Sequence, residues 1–195
     1  MNSFVTIGQC AITLIDTLNE RIGRGVSWLT LAIVLVTVAV VIFRYCFNLG
    51  SIAAQESISY MHALIFMLGA AYTLKHNDHV RVDIFHHRFS KTTQGWVDFL
   101  GTLLLLMPVC LFIIISSWDY VSDSWEIQES SRNSGGLPGV YLLKSTIIIM
   151  AGLLFLQGIS LAIKSLFSAL GITPNTESCA MEEYLGFWMF LKALP

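Results

Sequence analysis

The sequence predicts an all-α integral membrane protein with four transmembrane helices and both termini on the cytoplasmic side. Of its 195 residues, 55% are hydrophobic and 12% charged, whereas a soluble domain carries roughly 45–50% apolar and about 25% charged residues; mean hydropathy is +0.69. The charges are gathered into short segments, so residues 26–43, 57–74, 99–118 and 145–163 contain none. The basic residues, finally, are distributed unevenly between the two sides of these runs.

Each charge-free run is long enough to cross a hydrocarbon layer of roughly 30 Å at about 1.5 Å per helical residue. Lipid offers no hydrogen bonds to a backbone, and long apolar runs with little alternation satisfy theirs as helices, not as barrel strands. The spans are placed at about residues 26–43, 55–74, 97–118 and 142–163 of one membrane domain, 1–170, followed by a cytoplasmic tail, 171–195. Pro108 is expected to kink the third span. Trp28, Trp96, Trp118 and Trp125 fall at or near helix ends, where amphipathic rings favour the interface.

Orientation follows from the cations. Arg21, Arg24, Lys75, Arg81, Arg88, Lys91, Lys164 and Lys192 lie on one side, and only Arg44, Arg132 and Lys144 on the other. Eight against three puts both termini and the second connection in the cytoplasm. The third connection then faces outward with Asp119, Asp123, Glu126 and Glu129 near it. This acidic surface could dock a partner, but a merely solvated loop is the commoner meaning of such a charge run.

Two segments have the look of interfacial structure. Within residues 5–22, Ile7, Ala11, Leu14, Leu18 and Ile22 recur at helical spacing while Asp16, Asn19 and Glu20 fall elsewhere, the pattern of an amphipathic interfacial helix. A cleaved signal peptide fits less well, because some twenty-five residues precede the apolar run. In the tail, residues 184–191 (YLGFWMFL) are apolar but too short to span, which suits docking at the interface or on another chain.

Few residues suggest chemistry. Glu56 opens the second span and Arg44 closes the first, so a hairpin could pair them; the alternative is that Glu56 titrates or binds an ion. Four of the five histidines, His76, His79, His86 and His87, lie in the second connection with Asp78 and Asp83. Their spacing matches no closed zinc pattern, and a short amphipathic segment explains more of them: Val82, Phe85 and Phe89 toward the membrane, Arg81, Arg88 and Lys91 toward anionic headgroups. His62, the only histidine within a span, is expected to hydrogen-bond inside the bundle. Ser59 with Ala63 and Gly69 with Thr73 form small-xxx-small pairs, and Gly152 and Gly158 interrupt the fourth span. The four cysteines form no CxxC pair, and Cys110 lies in an apolar run as a small hydrophobe. No cofactor or metal site is expected, no catalytic motif is present, and the net charge of −2 argues against nucleic acid.

Read in order, Arg44-Tyr45, Gln55-Glu56, LGAA at 68–71 and HVRVD at 79–83 resemble the small, DctQ-type membrane subunit of tripartite ATP-independent periplasmic (TRAP) transporters. Glu129-Ser130, GLP at 136–138, LLK at 142–144 and LQG at 156–158 extend the likeness to about residues 20–165. The resemblance implies two partners: a large membrane subunit that carries the substrate and ion sites and moves as an elevator, and a periplasmic solute-binding protein. It also implies ion-gradient-driven uptake of organic acids, with Arg44, Glu56, His79, Arg81 and Asp83 in structural or subunit-contact roles. Two rival readings are a self-sufficient proton-coupled transporter using Glu56 and a redox membrane anchor.

Overall fold

The computed structural model describes residues 2–76 and 90–171. Its four helices are α1 (Asn2–Cys46), α2 (Ile52–Lys75), α3 (Lys91–Glu126) and α4 (Val140–Ala169), and each contains a stretch long and apolar enough to cross a membrane. The short amphipathic segment around His79, Arg81 and Asp83, and the apolar part of the tail, lie outside the described residues.

The sequence suggests an interfacial helix over 5–22 separate from the first span, but α1 is a single helix of 45 residues. Gly23 and Gly25 offer a natural break because glycine is a poor helix former. Gly23 instead serves close packing: a Cβ there would lie 2.3 Å from the Tyr72 ring of α2. Burial along this stretch does not follow the pattern expected of an interfacial helix. Ile7 and Leu14 are 70% and 71% exposed, whereas Gln9, Ile15 and Asn19 are buried. The polar face of this segment meets protein and its apolar face is turned outward.

Helix α2 starts at Ser51, whose hydroxyl accepts a hydrogen bond from the Ala54 N–H at 3.3 Å and so satisfies one of the first-turn donors. Ser90 does the same for α3 through Thr93, also at 3.3 Å. At Pro108, where a kink is expected, the structure has a π-helical turn over Thr102–Leu106, closed by the Met107 N–H on the Thr102 carbonyl. Proline brings no N–H and crowds the preceding turn, and a wider turn just before it relieves both problems.

Helix α4 is the centre of the bundle and touches each of the other three. Small residues let it do so. A Cβ on Gly95 of α3 would lie 2.7 Å from the Ala169 nitrogen, and one on Gly158 would lie 3.1 Å from Leu106 in the π turn. Gly152, by contrast, faces open space. The buried set on α4 mixes Ala151, Leu153, Ala162 and Phe167 with Thr146, Gln157, Ser160 and Ser165, and Cys110 of α3 is buried as well. Large apolar side chains such as Leu104, Phe112 and Ile115 cover the outside, an arrangement suited to lipid and costly in water.

Candidate functional site

The described polar side chains converge on two clusters, one near each end of α2. The first joins three helices. Asp16 of α1 accepts hydrogen bonds from Gln157 Nε2 (3.0 Å), Ser160 Oγ (2.9 Å) and Lys164 Nζ (2.6 Å), all on α4. Gln157 Oε1 in turn accepts from Asn19 Nδ2 at 2.6 Å. One turn along α1, Glu20 accepts from Lys75 Nζ at 2.7 Å and His76 Nε2 at 3.0 Å, from the end of α2, and from Arg24 at 2.8 Å. The His76 ring lies against Tyr72 with centroids 4.5 Å apart.

This cluster holds two carboxylates against three permanent cations, so its charge is compensated locally. Asn19 and Gln157 are each only 1% exposed. Their bond matters because an amide buried without a partner costs about 1–3 kcal/mol by protein mutational measures. One atom is left over: Asn19 Oδ1 is buried and accepts no hydrogen bond among the described residues. Sequence reading misses the cluster, although a signal exists. Asp16, Asn19 and Glu20 stand at i, i+3 and i+4, and Gln157, Ser160 and Lys164 at i, i+3 and i+7, so each set occupies one helix face. What the sequence does not say is that these two faces meet.

The second cluster closes the connection between α3 and α4 over the start of α2. Glu56 accepts from the Ser131 hydroxyl, from Asn133 Nδ2 at 2.9 Å and from the Leu137 N–H at 2.7 Å, so both of its oxygens are engaged. Gly136 packs closely beside it: a Cβ there would lie 2.6 Å from Ser131 Cβ and 2.7 Å from Glu56 Oε2. Next to it Glu129 binds Lys144 and accepts from Ser124 at 2.7 Å, while Lys144 Nζ lies 3.9 Å from the centroid of the Tyr120 ring. The lysine and the serine hydroxyl hold the Glu129 carboxyl below its ordinary range. Trp125 donates to Ser145 at 2.8 Å and packs edge-on against Tyr141.

The expected Arg44–Glu56 pair is therefore not formed. The loop engages both Glu56 oxygens, and Arg44 remains exposed in the last turn of α1. His62 also departs from expectation. It is exposed on α2 and has no hydrogen bond inside the chain among the described residues. His79, Arg81 and Asp83 lie outside the described residues, so the structure does not join them to either cluster. Among the described residues, no three His, Cys, Asp or Glu side chains are grouped to hold a metal ion.

Chemically, both clusters fasten helices and loops. Among the described residues every carboxylate oxygen named in them has a donor except Glu129 Oε1, and that carboxyl is already paired through Oε2. A family model described as "Tripartite ATP-independent periplasmic transporters, DctQ component" matches residues 33–168. No curated protein and no solved structure matches the chain.

Proposed function

The chain belongs to the DctQ family, a component of tripartite ATP-independent periplasmic transporters, and from that premise we propose that it is a small, non-catalytic scaffold subunit. It braces the large, moving membrane subunit and helps a periplasmic solute-binding protein dock, in ion-gradient-driven uptake of organic acids. Its place is the bacterial inner membrane, surrounded by lipid, with both termini cytoplasmic. The excess of cations on one side supports that orientation, and Arg24, Lys75 and Lys164 of the first cluster all lie on the side assigned to the cytoplasm.

The observation that carries the scaffold reading is the saturation of the candidate ionisable groups. A proton or ion carrier needs a group that can gain and lose its ligand near the pathway. Glu56 already accepts three hydrogen bonds, and Asp16 three, from fixed partners. The same fact weighs against a self-sufficient transporter using Glu56. Arg44, Glu56, His79, Arg81 and Asp83 are assigned to packing or subunit contact on this reading.

Tagged protein isolated from native membranes in mild detergent, followed by mass spectrometry, tests the proposal. A many-spanning membrane protein in fixed ratio is the expected companion. Solute-dependent uptake by that companion and the binding protein at full rate without this chain would sink the scaffold role; transport by this chain alone in liposomes, abolished by Glu56→Gln, would establish the rival.

A further inference from the structure

Helix α2 carries a stripe that the chain itself leaves unused. Gln55, Ser59, His62, Phe66, Gly69 and Thr73 follow one another at steps of four and three, which keeps them on one face and is the spacing of a helix-docking seam. Gln55, Ser59, His62 and Phe66 are all exposed, Phe66 by 75%, and a Cβ on Gly69 would meet nothing within 4 Å. The Thr73 hydroxyl bonds the Gly69 carbonyl at 3.0 Å. Gln55, Ser59 and His62 have no side-chain partner among the described residues.

Depth makes this stripe unusual. His62 lies ten residues into α2, about 15 Å from its start and about 20 Å from its end, which is near the middle of a hydrocarbon layer of roughly 30 Å. Lipid can supply neither a donor nor an acceptor there. The outward face of α3 differs: Leu104, Leu105, Phe112 and Ile115 are apolar, and its exposed Ser116 hydroxyl is satisfied by the Ile113 carbonyl at 3.3 Å. That face suits acyl chains; the α2 stripe is complementary to a surface that carries hydrogen-bonding groups at the same depth. Its small residues, Ser59 and Gly69, would also let a second backbone come close.

We infer that the Gln55–Ser59–His62–Phe66–Gly69–Thr73 face of α2 is the seam against which a polar transmembrane helix of the large membrane subunit docks, with a carboxylate, amide or hydroxyl opposite His62. The inference rests on the scaffold reading and adds the face and its chemistry.

A photo-crosslinking amino acid in place of Phe66, or in place of Phe112 on α3, separates the possibilities in membranes holding the complete transporter. Crosslinking of the Phe66 variant to the large subunit, at least roughly tenfold above the Phe112 variant, is expected. Crosslinking from Phe112 alone, from neither position, or from Phe66 to a second copy of this chain would overturn the seam while the large subunit still copurifies. Failure of any large membrane protein to copurify with the unsubstituted chain would instead defeat the scaffold reading, and the seam with it. Hydrogen bonds between membrane helices are modest, so His62→Leu should reduce retention of the large subunit in detergent roughly threefold to tenfold. His62→Gln, which keeps a donor and an acceptor, should restore most of it; equal retention in both variants would count against a polar contact.

Discussion

The Asp16 and Glu56 clusters use one chemistry, a carboxylate engaged by several donors, in two different mechanical settings. Around Asp16 every partner is a side chain on a regular helix, and the bonds tie α1 to α4 at a fixed register. Around Glu56 the partners come from an irregular connection, one of them a backbone N–H, and the bonds set the shape of that loop. Losing the first lets helices slide; losing the second lets a loop open. Side chains in identical chemical states thus differ in what they stabilise, because one set spans elements and the other spans a turn.

The sharpest way to break the comparison is Gln157→Leu. It removes a donor from Asp16 and strands the Asn19 amide, both inside the bundle, at a cost of about 2–3 kcal/mol. That should lower the thermal midpoint in detergent by roughly 4–12 °C. A shift under about 2 °C would mean that the cluster does not hold α1 to α4.

Glu56→Gln should act locally. The amide brings its own N–H groups toward Ser131, Asn133 or the Leu137 N–H, all of them donors, and leaves at least one unpaired. Faster amide exchange over residues 131–137 is expected, with exchange along α1 left nearly unchanged. Exchange that rises equally along α1 would erase the distinction between the two clusters.

Asn19→Leu refines the first cluster. It leaves Gln157 Oε1 without its donor, but it also removes the buried, unpartnered Oδ1 and keeps all three donors on Asp16, so its cost should be smaller than that of Gln157→Leu, about 1–2 kcal/mol. A larger loss would show that Oδ1 has a structural role. The smallest effect concerns Glu129. Its folded carboxyl titrates below the ordinary value of 4.5, so its contribution is complete above that pH and fades as pH falls through the lower, folded value. The thermal midpoint should therefore fall more steeply on acidification below pH 4.5 in the parent than in Glu129→Gln, and parallel curves would remove this contribution.

Much of the fold was legible in the sequence because lipid imposes a simple rule. Four charge-free runs mark four helices, and each falls within one. The ends were less legible: the second and fourth spans were expected over 55–74 and 142–163 and the helices run over Ile52–Lys75 and Val140–Ala169. Absence of charge reports depth in hydrocarbon, whereas a helix continues until a cap or a turn stops it. The site was legible only in fragments. Glu56 stood out because a carboxylate at a span boundary is conspicuous, but its partners sit some 75 to 81 residues away and Arg44, the near neighbour in a hairpin, drew the pairing. Asp16, Asn19 and Glu20 looked like the wet side of an interfacial helix. Polar residues on one helix face signal a partner, and sequence alone does not distinguish water from Gln157 and Lys164.

The unbroken course of α1 has a mechanical consequence. Forty-five residues make a rod of about 67 Å; fitting it inside roughly 30 Å of hydrocarbon would need a tilt of more than about 60°, well outside the usual 0–40°. Part of the rod must therefore stand outside the acyl layer, joined without a hinge to the part within. A 10° change in tilt would displace a point about 35 Å along such a rod by about 6 Å. Since Asp16 fastens the rod to Lys164, Gln157 and Ser160, that swing cannot be taken up by α1 alone: α4 must travel with it.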